Sequence, residues 1–221
     1  KGLWNPINKK TLGNFVNYPI IKKLNYFLNV PVYALGDTQA AALGELYYGG
    51  GKNLSNFFYL TISTGIGGSI IQNKNLFNNK ISDIGSLGHN VIKFNGKLCG
   101  CGRKGCLEAY SSGNALIKSN KIKKCRDTKE LLTKFKNHTQ TINIVNQAVE
   151  MIIQSILNVN NLIRIDNFII GGSVGSNSFF YKKIKKELKK NLSQVKIRKT
   201  ELNSKAELYG CFAYINNRLF L

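Results

Sequence analysis

Three cysteines and one histidine constrain this 221-residue chain more than any other feature of its sequence. The cysteines fall within eight positions, are separated by glycines that let the backbone fold back on itself, and follow the histidine by ten positions; the four residues are His89, Cys99, Cys101 and Cys106. Three thiolates and one imidazole are the ligands of a closed, four-coordinate structural zinc site. Chance clustering is the alternative, whereas a disulfide is disfavoured in a reducing cytoplasm. Cys125 and Cys211 lie outside the cluster and are predicted to be ordinary buried thiols.

The composition is that of a globular protein, with 43% hydrophobic and 19% charged residues. No apolar stretch approaches the ~18 residues that a bilayer crossing requires, so we expect a cytoplasmic protein with no membrane partner. The net charge of +21 would ordinarily indicate a nucleic acid partner. We do not expect one, because the lysines are spread through a chain that is equally rich in Asn and Ile, as an AT-biased coding sequence produces.

Helical and strand patterns alternate along the chain. Helices are predicted at 20–28, 39–48, 142–162 and 182–192, and strands at 30–35, 57–62, 69–71 and 167–170. The last helix is rich in lysine, but Ile184 and Leu188 lie four positions apart, which indicates one buried edge and a solvated basic face. Strands alternating with helices predict an α/β fold with a mixed sheet.

Two glycine-rich turns are candidates for binding phosphate. They span 63–68 and 171–175, and Thr64 adds a hydroxyl to the first. Backbone N–H groups exposed in such turns bind phosphate oxygens, although a tight hairpin or a helix start needs glycine just as often. Neither turn has the spacing of a Walker motif.

Asp37 is the candidate proton acceptor. It lies where the predicted 30–35 strand ends and the next helix begins, so its side chain can face a cleft. A carboxylate there could accept the proton of an attacking hydroxyl group. It could equally cap the helix, and the two roles are compatible.

These segments, in this order, resemble the ROK family of sugar kinases and repressors. The resemblance is carried by four motifs: Asp37-Thr38-Gln39-Ala40-Ala41-Ala42, the segment 60–68, Gly88-His89 with the cysteine cluster and Leu107-Glu108, and the segment 169–175. In these motifs the chain is most similar to the branch that phosphorylates N-acetyl-D-mannosamine in bacterial sialic acid catabolism. The implied fold is the two-lobed, ribonuclease H-like fold of actin-like ATPases.

The resemblance implies ATP-dependent phosphorylation of a sugar 6-hydroxyl, with ATP and Mg²⁺ for catalysis, a structural Zn²⁺ and a homodimeric assembly. Asp37 would be the catalytic base. The sugar would contact Gly36, Ser86, His89 and Glu108. ATP would contact Thr64, Gly65, Gly67, Gly171 and Gly172, and the zinc ligands would be His89, Cys99, Cys101 and Cys106.

Three departures from the family pattern stand out. Gly36 replaces an Asn, and Ser86 replaces a Glu that can be His in the mannosamine branch. The family's first phosphate loop, Asp-x-Gly-Gly-Thr, is not found before Trp4, so we expect a chain truncated at its N-terminus. The expected division is residues 1–36 as the remainder of a small lobe, 37–205 as the large lobe and 206–221 as a helix packing back toward the small lobe. A glucokinase or other hexose kinase, a sugar-responsive repressor and an inactive remnant remain as alternatives.

Overall fold

A computed structural model describes residues 2–5, 13, 15–77, 84–191 and 194–219. Its helices are α1 (Ile20–Leu28), α2 (Asp37–Tyr48), α3 (Glu108–Ser111), α4 (Gly113–Ser119), α5 (Thr128–Thr133), α6 (Thr139–Ile163), α7 (Ser178–Asn191) and α8 (Ala206–Leu219). Its strands are β1 (Phe57–Ile62), β2 (Ile66–Gln72), β3 (Asn75–Leu76), β4 (Asn167–Gly171) and β5 (Lys196–Lys199). None of the helices in these ranges has the length and apolarity needed to cross a bilayer.

The strands form one mixed sheet in the order β3-β2-β1-β4-β5. The β1–β2–β3 segment is an antiparallel meander, in which Ile62 of β1 pairs with Ile66 of β2. The strands β4 and β5 are added parallel to β1, with Thr61 opposite Gly171. This pairing places the β1–β2 turn beside the residues that follow β4.

Alternate residues of the central strands face two separate hydrophobic clusters. Phe58 and Phe168 contribute to the cluster that includes α6 and α7, whereas Tyr59 and Ile169 contribute to the cluster that includes α2. Side chains alternate between the faces of a sheet, so helices on both faces require strands that are apolar at nearly every position. The sequence of β1, Phe-Phe-Tyr-Leu-Thr-Ile, meets this requirement.

The helix α8 packs on α2 through direct backbone contact. A Cβ added at Gly44 of α2 would lie 2.1 Å from the Ala206 carbonyl oxygen. A Cβ added at Gly210 of α8 would lie 1.6 Å from the Ala40 carbonyl oxygen. Ala40 is in the first turn of α2, so this contact helps to fix the end of the helix that carries Asp37.

The α/β fold with a mixed sheet is confirmed, but several local predictions need correction. The 30–35 run is not a strand, and it is not buried, since Val30 is 55% and Tyr33 44% exposed. Pro31 has no N–H, and the Val32 N–H is bonded to the Asn25 side chain instead of to a strand. The strand β2 begins at Ile66, so the glycines at 67 and 68 belong to the strand and not to the turn.

Helix limits and thiol burial also differ from expectation. The helices α6 and α7 begin earlier than predicted, at Thr139 and Ser178, and Leu192 lies outside the described residues. Cys211 is exposed and Cys125 is half-buried, so the expectation that both are buried is wrong. The ring of Tyr214 in α8 lies edge-on to that of Tyr33, so α8 contacts the segment before α2. The division of the chain into lobes stays a prediction.

Candidate active site and metal centre

The predicted zinc ligands lie together in the structure. The ligand atoms of His89, Cys99, Cys101 and Cys106 all fall within 4.8 Å of one another. The Cys99 sulfur is 3.6 Å from His89 Nδ1, and the sulfurs of Cys101 and Cys106 are 3.7 Å apart. The chain therefore gathers one nitrogen and three sulfur donors at a single point.

The loop that carries the thiols is folded by its own backbone. The Cys99 N–H donates to the Arg103 carbonyl at 2.8 Å, and short bridges join Leu98 to Lys104 and Val91 to Cys106. Gly105 has a φ of +84°, and a Cβ there would lie 1.8 Å from the Lys93 carbonyl oxygen. Only glycine permits this close return of the chain, which brings Cys106 back toward Cys99 and Cys101.

The donor set fits zinc. With Zn–S bonds of about 2.3 Å and Zn–N bonds of about 2.0–2.1 Å, a tetrahedral site separates two sulfurs by about 3.8 Å and a sulfur from a nitrogen by about 3.6 Å. Two of the six separations in the structure, at 3.7 and 3.6 Å, match those edges, and all six are within 4.8 Å. Burial raises the pKa of Cys106 to about 12 and also raises the pKa of Cys99, so thiolate ligands here require a compensating cation. Although burial opposes it, hydrogen bonds with Arg103 lower the pKa of Cys101.

The first residues of β2 join this loop to the candidate sugar site. The Ile66 N–H donates to Glu108 Oε2 at 2.9 Å. A Cβ at Gly88 would lie 2.1 Å from the Ile66 carbonyl oxygen, so the short 3₁₀ helix Leu87–His89 lies directly against the strand. Ile66 thus binds Glu108 through its N–H group, and its carbonyl packs against Gly88, the residue before His89.

The same strand holds the start of α2. A Cβ at Gly67 would lie 2.8 Å from Thr38 Cγ2, and the Ser69 hydroxyl is 3.4 Å from that of Thr38. Asp37 is the first residue of α2, is exposed, and accepts the Thr38 N–H at Oδ1 over 2.7 Å. Thr38, Gly88 and Glu108 thus all contact the start of β2, and Asp37 and His89 are the sequence neighbours of the first two.

Gly36 and Ser86 precede the two short helical starts of this site. Gly36 is the N-cap of α2, and its N–H donates to the Gln39 side chain at 3.1 Å. Ser86 is half-buried and precedes the 3₁₀ helix, with its carbonyl accepting the His89 N–H at 3.0 Å. Gly36 thus offers no side-chain amide at this position, and Ser86 offers a hydroxyl instead of a carboxylate.

The two glycine-rich turns meet beside β1. The Ser63 hydroxyl is 3.1 Å from the Ser173 hydroxyl, and the Val174 and Gly175 N–H groups both donate to the Ile62 carbonyl. Thr64 is exposed at the tip of the first turn. Two hydroxyl groups thus lie at the meeting point, with Thr64 next to Ser63 in the chain, and hydroxyl groups can donate to the oxygens of a phosphate chain. Ser63 and Ser173 were not predicted as site residues, since only their contact across 110 positions distinguishes them.

The remaining predicted glycines pack against protein atoms. A Cβ at Gly65 would lie 2.6 Å from Glu108 Oε2, and one at Gly171 would lie 2.3 Å from the Tyr59 hydroxyl. Gly172 has a φ of +81° and would meet the Ile62 carbonyl oxygen at 2.4 Å. The absence of side chains at these positions lets both turns close onto β1.

Residues 5–218 match the family model described as the ROK family. The chain belongs to the ROK family. Its fold is that of the actin-like ATPases, as the resemblance in the motifs implied. It is 27% identical to a ROK hexokinase from Thermus thermophilus, whose structure superposes with a TM-score of 0.80 over 91% of this chain and 71% of that one.

Among relatives with names, the chain is similar to N-acetylmannosamine kinases. It is 34% identical to that of Haemophilus influenzae (strain PittGG) over 177 residues, 79% of this chain and 59% of the relative. It is 35% identical to that of Vibrio vulnificus (strain CMCP6) over 172 residues, 76% of this chain and 59% of the relative. The matched part of the chain thus spans less than two thirds of the length of these relatives.

Proposed function

We propose that the protein transfers the terminal phosphoryl group of ATP to the 6-hydroxyl of N-acetyl-D-mannosamine. The proposal is supported by the contacts of Thr38, Gly88 and Glu108 with the start of β2, which bring the neighbouring Asp37 and His89 to the same strand end. It is also supported by the 34% identity of this ROK chain to an N-acetylmannosamine kinase. In bacterial sialic acid catabolism this reaction takes place in the cytoplasm, which is the location we propose, together with a homodimeric assembly as in the family resemblance.

Asp37 is the proposed base. Its Oδ1 accepts the Thr38 N–H, which orients the carboxylate at the exposed start of α2. As the sugar oxygen bonds to the terminal phosphorus, its proton passes to this carboxylate, the bond from that phosphorus to the bridging oxygen breaks, and ADP leaves. A catalytic base must be accessible to the substrate and fixed in orientation. Asp37 is exposed, and its hydrogen bond from Thr38 orients it.

Glu108 and His89 are the proposed sugar contacts. Glu108 Oε2 is engaged by the Ile66 N–H, and within the described ranges no donor is bonded to Oε1, which can accept a sugar hydroxyl. Gly36 and Ser86 complete the pocket wall.

Zinc bound by His89, Cys99, Cys101 and Cys106 supplies structural cross-linking, because four protein ligands leave no open position. The metal would then fix the loop between His89 and Glu108, the two proposed sugar contacts.

The two turns are the proposed nucleotide site. Thr64 and Gly65 lie in the turn before β2, and Gly67 lies in the first part of that strand. Gly171 is the last residue of β4, and Gly172 follows it. Hydroxyl and N–H groups of these turns would hold the phosphates of ATP, whose charge Mg²⁺ would offset. The Ser63–Ser173 contact adds two hydroxyls between them.

The substrate is tested by a panel of sugars in an assay that couples ADP release to a dye, using protein from the complete reading frame. We expect N-acetylmannosamine to give the highest kcat/KM. Equal or higher values with glucose would assign the protein to the hexose kinases instead. Binding to operator DNA that a sugar releases, without ADP formation, would indicate a repressor.

Asp37→Asn tests the base. We expect kcat to fall about 10²- to 10⁴-fold, the usual contribution of a positioned base, with sugar affinity by calorimetry within about threefold of wild type. Glu150→Gln, the same chemical change at an exposed position of α6, is the control and should leave kcat unchanged. An Asp37→Asn variant that retains most of its kcat would exclude Asp37 as the base.

A further inference from the structure

A fully buried carboxylate lies inside α2, two turns after Asp37. Glu45 is 0% exposed. Its oxygens accept the N–H groups of Gly50 at 2.8 Å, Glu201 at 3.1 Å and Leu202 at 3.0 Å. They also accept the Thr200 hydroxyl. A buried carboxylate is tolerated when donors surround it, and each of these donors belongs to backbone or to a neutral side chain.

This carboxylate ties α2 to the segment after β5. Three of its four donors lie 155 to 157 positions further along the chain. The Thr200 N–H in turn donates to the carbonyl of Ile170, the residue before Gly171. Glu45 therefore connects the helix of the proposed base to the strand end that leads into the second glycine-rich turn.

A buried tyrosine lies beside the same strand end. The Tyr59 hydroxyl is close to Gly171, where a Cβ would be 2.3 Å away. Burial, with Glu207 and Glu45 nearby, raises the pKa of Tyr59 above its usual range, so the side chain is a neutral phenol that fills this space.

We propose that Glu45 is a positioning residue, which holds the first turn of α2, and with it Asp37, at a fixed place relative to the turn that follows β4. The proposal deepens the proposed function and rests on it for the roles of Asp37 and Gly171. In phosphoryl transfer the base and the phosphates must be aligned within a fraction of an ångström, and displacement of about 1 Å can cost 10²-fold in rate. The path from Glu45 through the Thr200 hydroxyl and the Thr200 N–H to Ile170, the residue before Gly171, supplies that alignment.

Glu45→Gln is the principal variant. Glutamine has nearly the same shape as glutamate, but one carboxylate oxygen is replaced by an NH₂ group. This group is a donor and cannot accept the N–H or hydroxyl bonds that the oxygen accepted, so at least one of those groups loses its partner. Thr200→Val is the second variant, which keeps the three backbone donors to Glu45. It removes the hydroxyl bond from Thr200 to Glu45, together with the acceptor of the Asn203 N–H. The matched control is Glu130→Gln, since Glu130 is a largely buried carboxylate of α5, at 8% exposure, that binds only near neighbours.

The first readout is hydrogen–deuterium exchange of the purified chain, which needs no turnover. For Glu45→Gln and Thr200→Val we expect faster exchange in two peptides, one covering the first turn of α2 and one covering 171–175. For Glu130→Gln we expect faster exchange only around α5. Faster exchange confined to α2 near Glu45 and to 200–202 would overturn the proposal and leave Glu45 a local structural tie.

The second readout is steady-state kinetics, at a temperature where circular dichroism shows each variant folded. We expect the kcat of Glu45→Gln to fall about 10- to 100-fold, with the KM for sugar within about threefold of wild type. The kcat of Thr200→Val should also fall, but by a smaller factor. An unchanged kcat in a folded Glu45→Gln protein would overturn the proposal. If wild-type protein releases no ADP with any sugar, the proposed function fails, while the exchange experiment still decides whether Glu45 fixes α2 against the turn. If Glu45→Gln does not fold, Thr200→Val decides both readouts.

Discussion

Two regions of the molecule bring functional side chains together in opposite ways. The first is the loop 89–106, which carries the predicted zinc ligands and is called the zinc loop below. In it His89 and Cys99 are 10 positions apart and Cys101 and Cys106 are 5 apart. The second is the helix α2, which begins at Asp37 and is bound through Glu45 by residues 155 to 157 positions away. Residues that are close in sequence are brought together by a few turns of backbone, whereas residues that are distant in sequence come together only when the whole sheet has formed. The first kind can be identified in a sequence, and the second depends on the folded chain.

Removal of one thiol is expected to have the largest effect on stability. Cys106→Ser should reduce the metal content from about one zinc per chain to a small fraction and lower Tm by about 10 °C or more, because metal binding is coupled to folding. The measurements are elemental analysis and differential scanning calorimetry, and chelation of wild-type protein should reproduce the shift.

Cys211→Ser is the matched control, because this thiol is exposed on α8 and lies outside the cluster. It should retain its zinc and its Tm. Wild-type protein purified without stoichiometric metal, under conditions that exclude chelation, would contradict the zinc assignment and remove one side of the comparison.

Gly210→Ala tests the long-range region. The added Cβ would lie 1.6 Å from the Ala40 carbonyl oxygen, so α8 and α2 must separate, and we expect a loss of about 2–3 kcal/mol in the free energy of unfolding. The counterpart in the zinc loop is Gly102→Ala, where a Cβ meets nothing within 4 Å and only the φ of +89° opposes it, at about 1 kcal/mol. Urea unfolding measures both, and a loss for Gly210→Ala no larger than that for Gly102→Ala would contradict a tight contact between α8 and α2.

Glu130 provides the smallest expected effect and a pH test of a short-range carboxylate. Hydrogen bonds from Arg126 and then Lys134, both four positions away, lower the pKa of Glu130 to about 2. A lowered pKa in the folded state stabilises the protein above the ordinary carboxyl pKa, and this stability is lost as pH falls toward 2. We expect the urea midpoint of wild type to exceed that of Glu130→Gln at pH 6 and the difference to shrink at pH 3. A difference that is constant with pH would show that the carboxylate charge contributes nothing.

Part of the fold could be predicted from patterns within single segments. These patterns indicated α2, α6 and α7 and the strands β1, β2 and β4, and the four family motifs imply the actin-like ATPase fold and a C-terminal helix. The short helices α3, α4 and α5 and the strands β3 and β5 were not predicted, because segments of two to seven residues carry too little periodicity. The 30–35 strand was wrong because apolar β-rich residues form a strand only when a neighbouring strand accepts their backbone, and Pro31 cannot donate. The exposure of Cys211 could not be predicted because it depends on which face of α8 packs on α2.

The sequence by itself determined the chemical inventory of this protein: one imidazole and three thiols on a glycine-rich loop, a carboxylate at a helix start, and two glycine-rich turns. Only the tertiary structure decided that Ile66 holds Glu108 and the Gly88-His89 segment together, that Ser63 meets Ser173, and that Glu45 binds the segment after β5. A sequence lists donors and acceptors, but the distance between distant ones is set by how strands pair and helices pack, and those contacts are fixed by the sum of many weak interactions over the whole core.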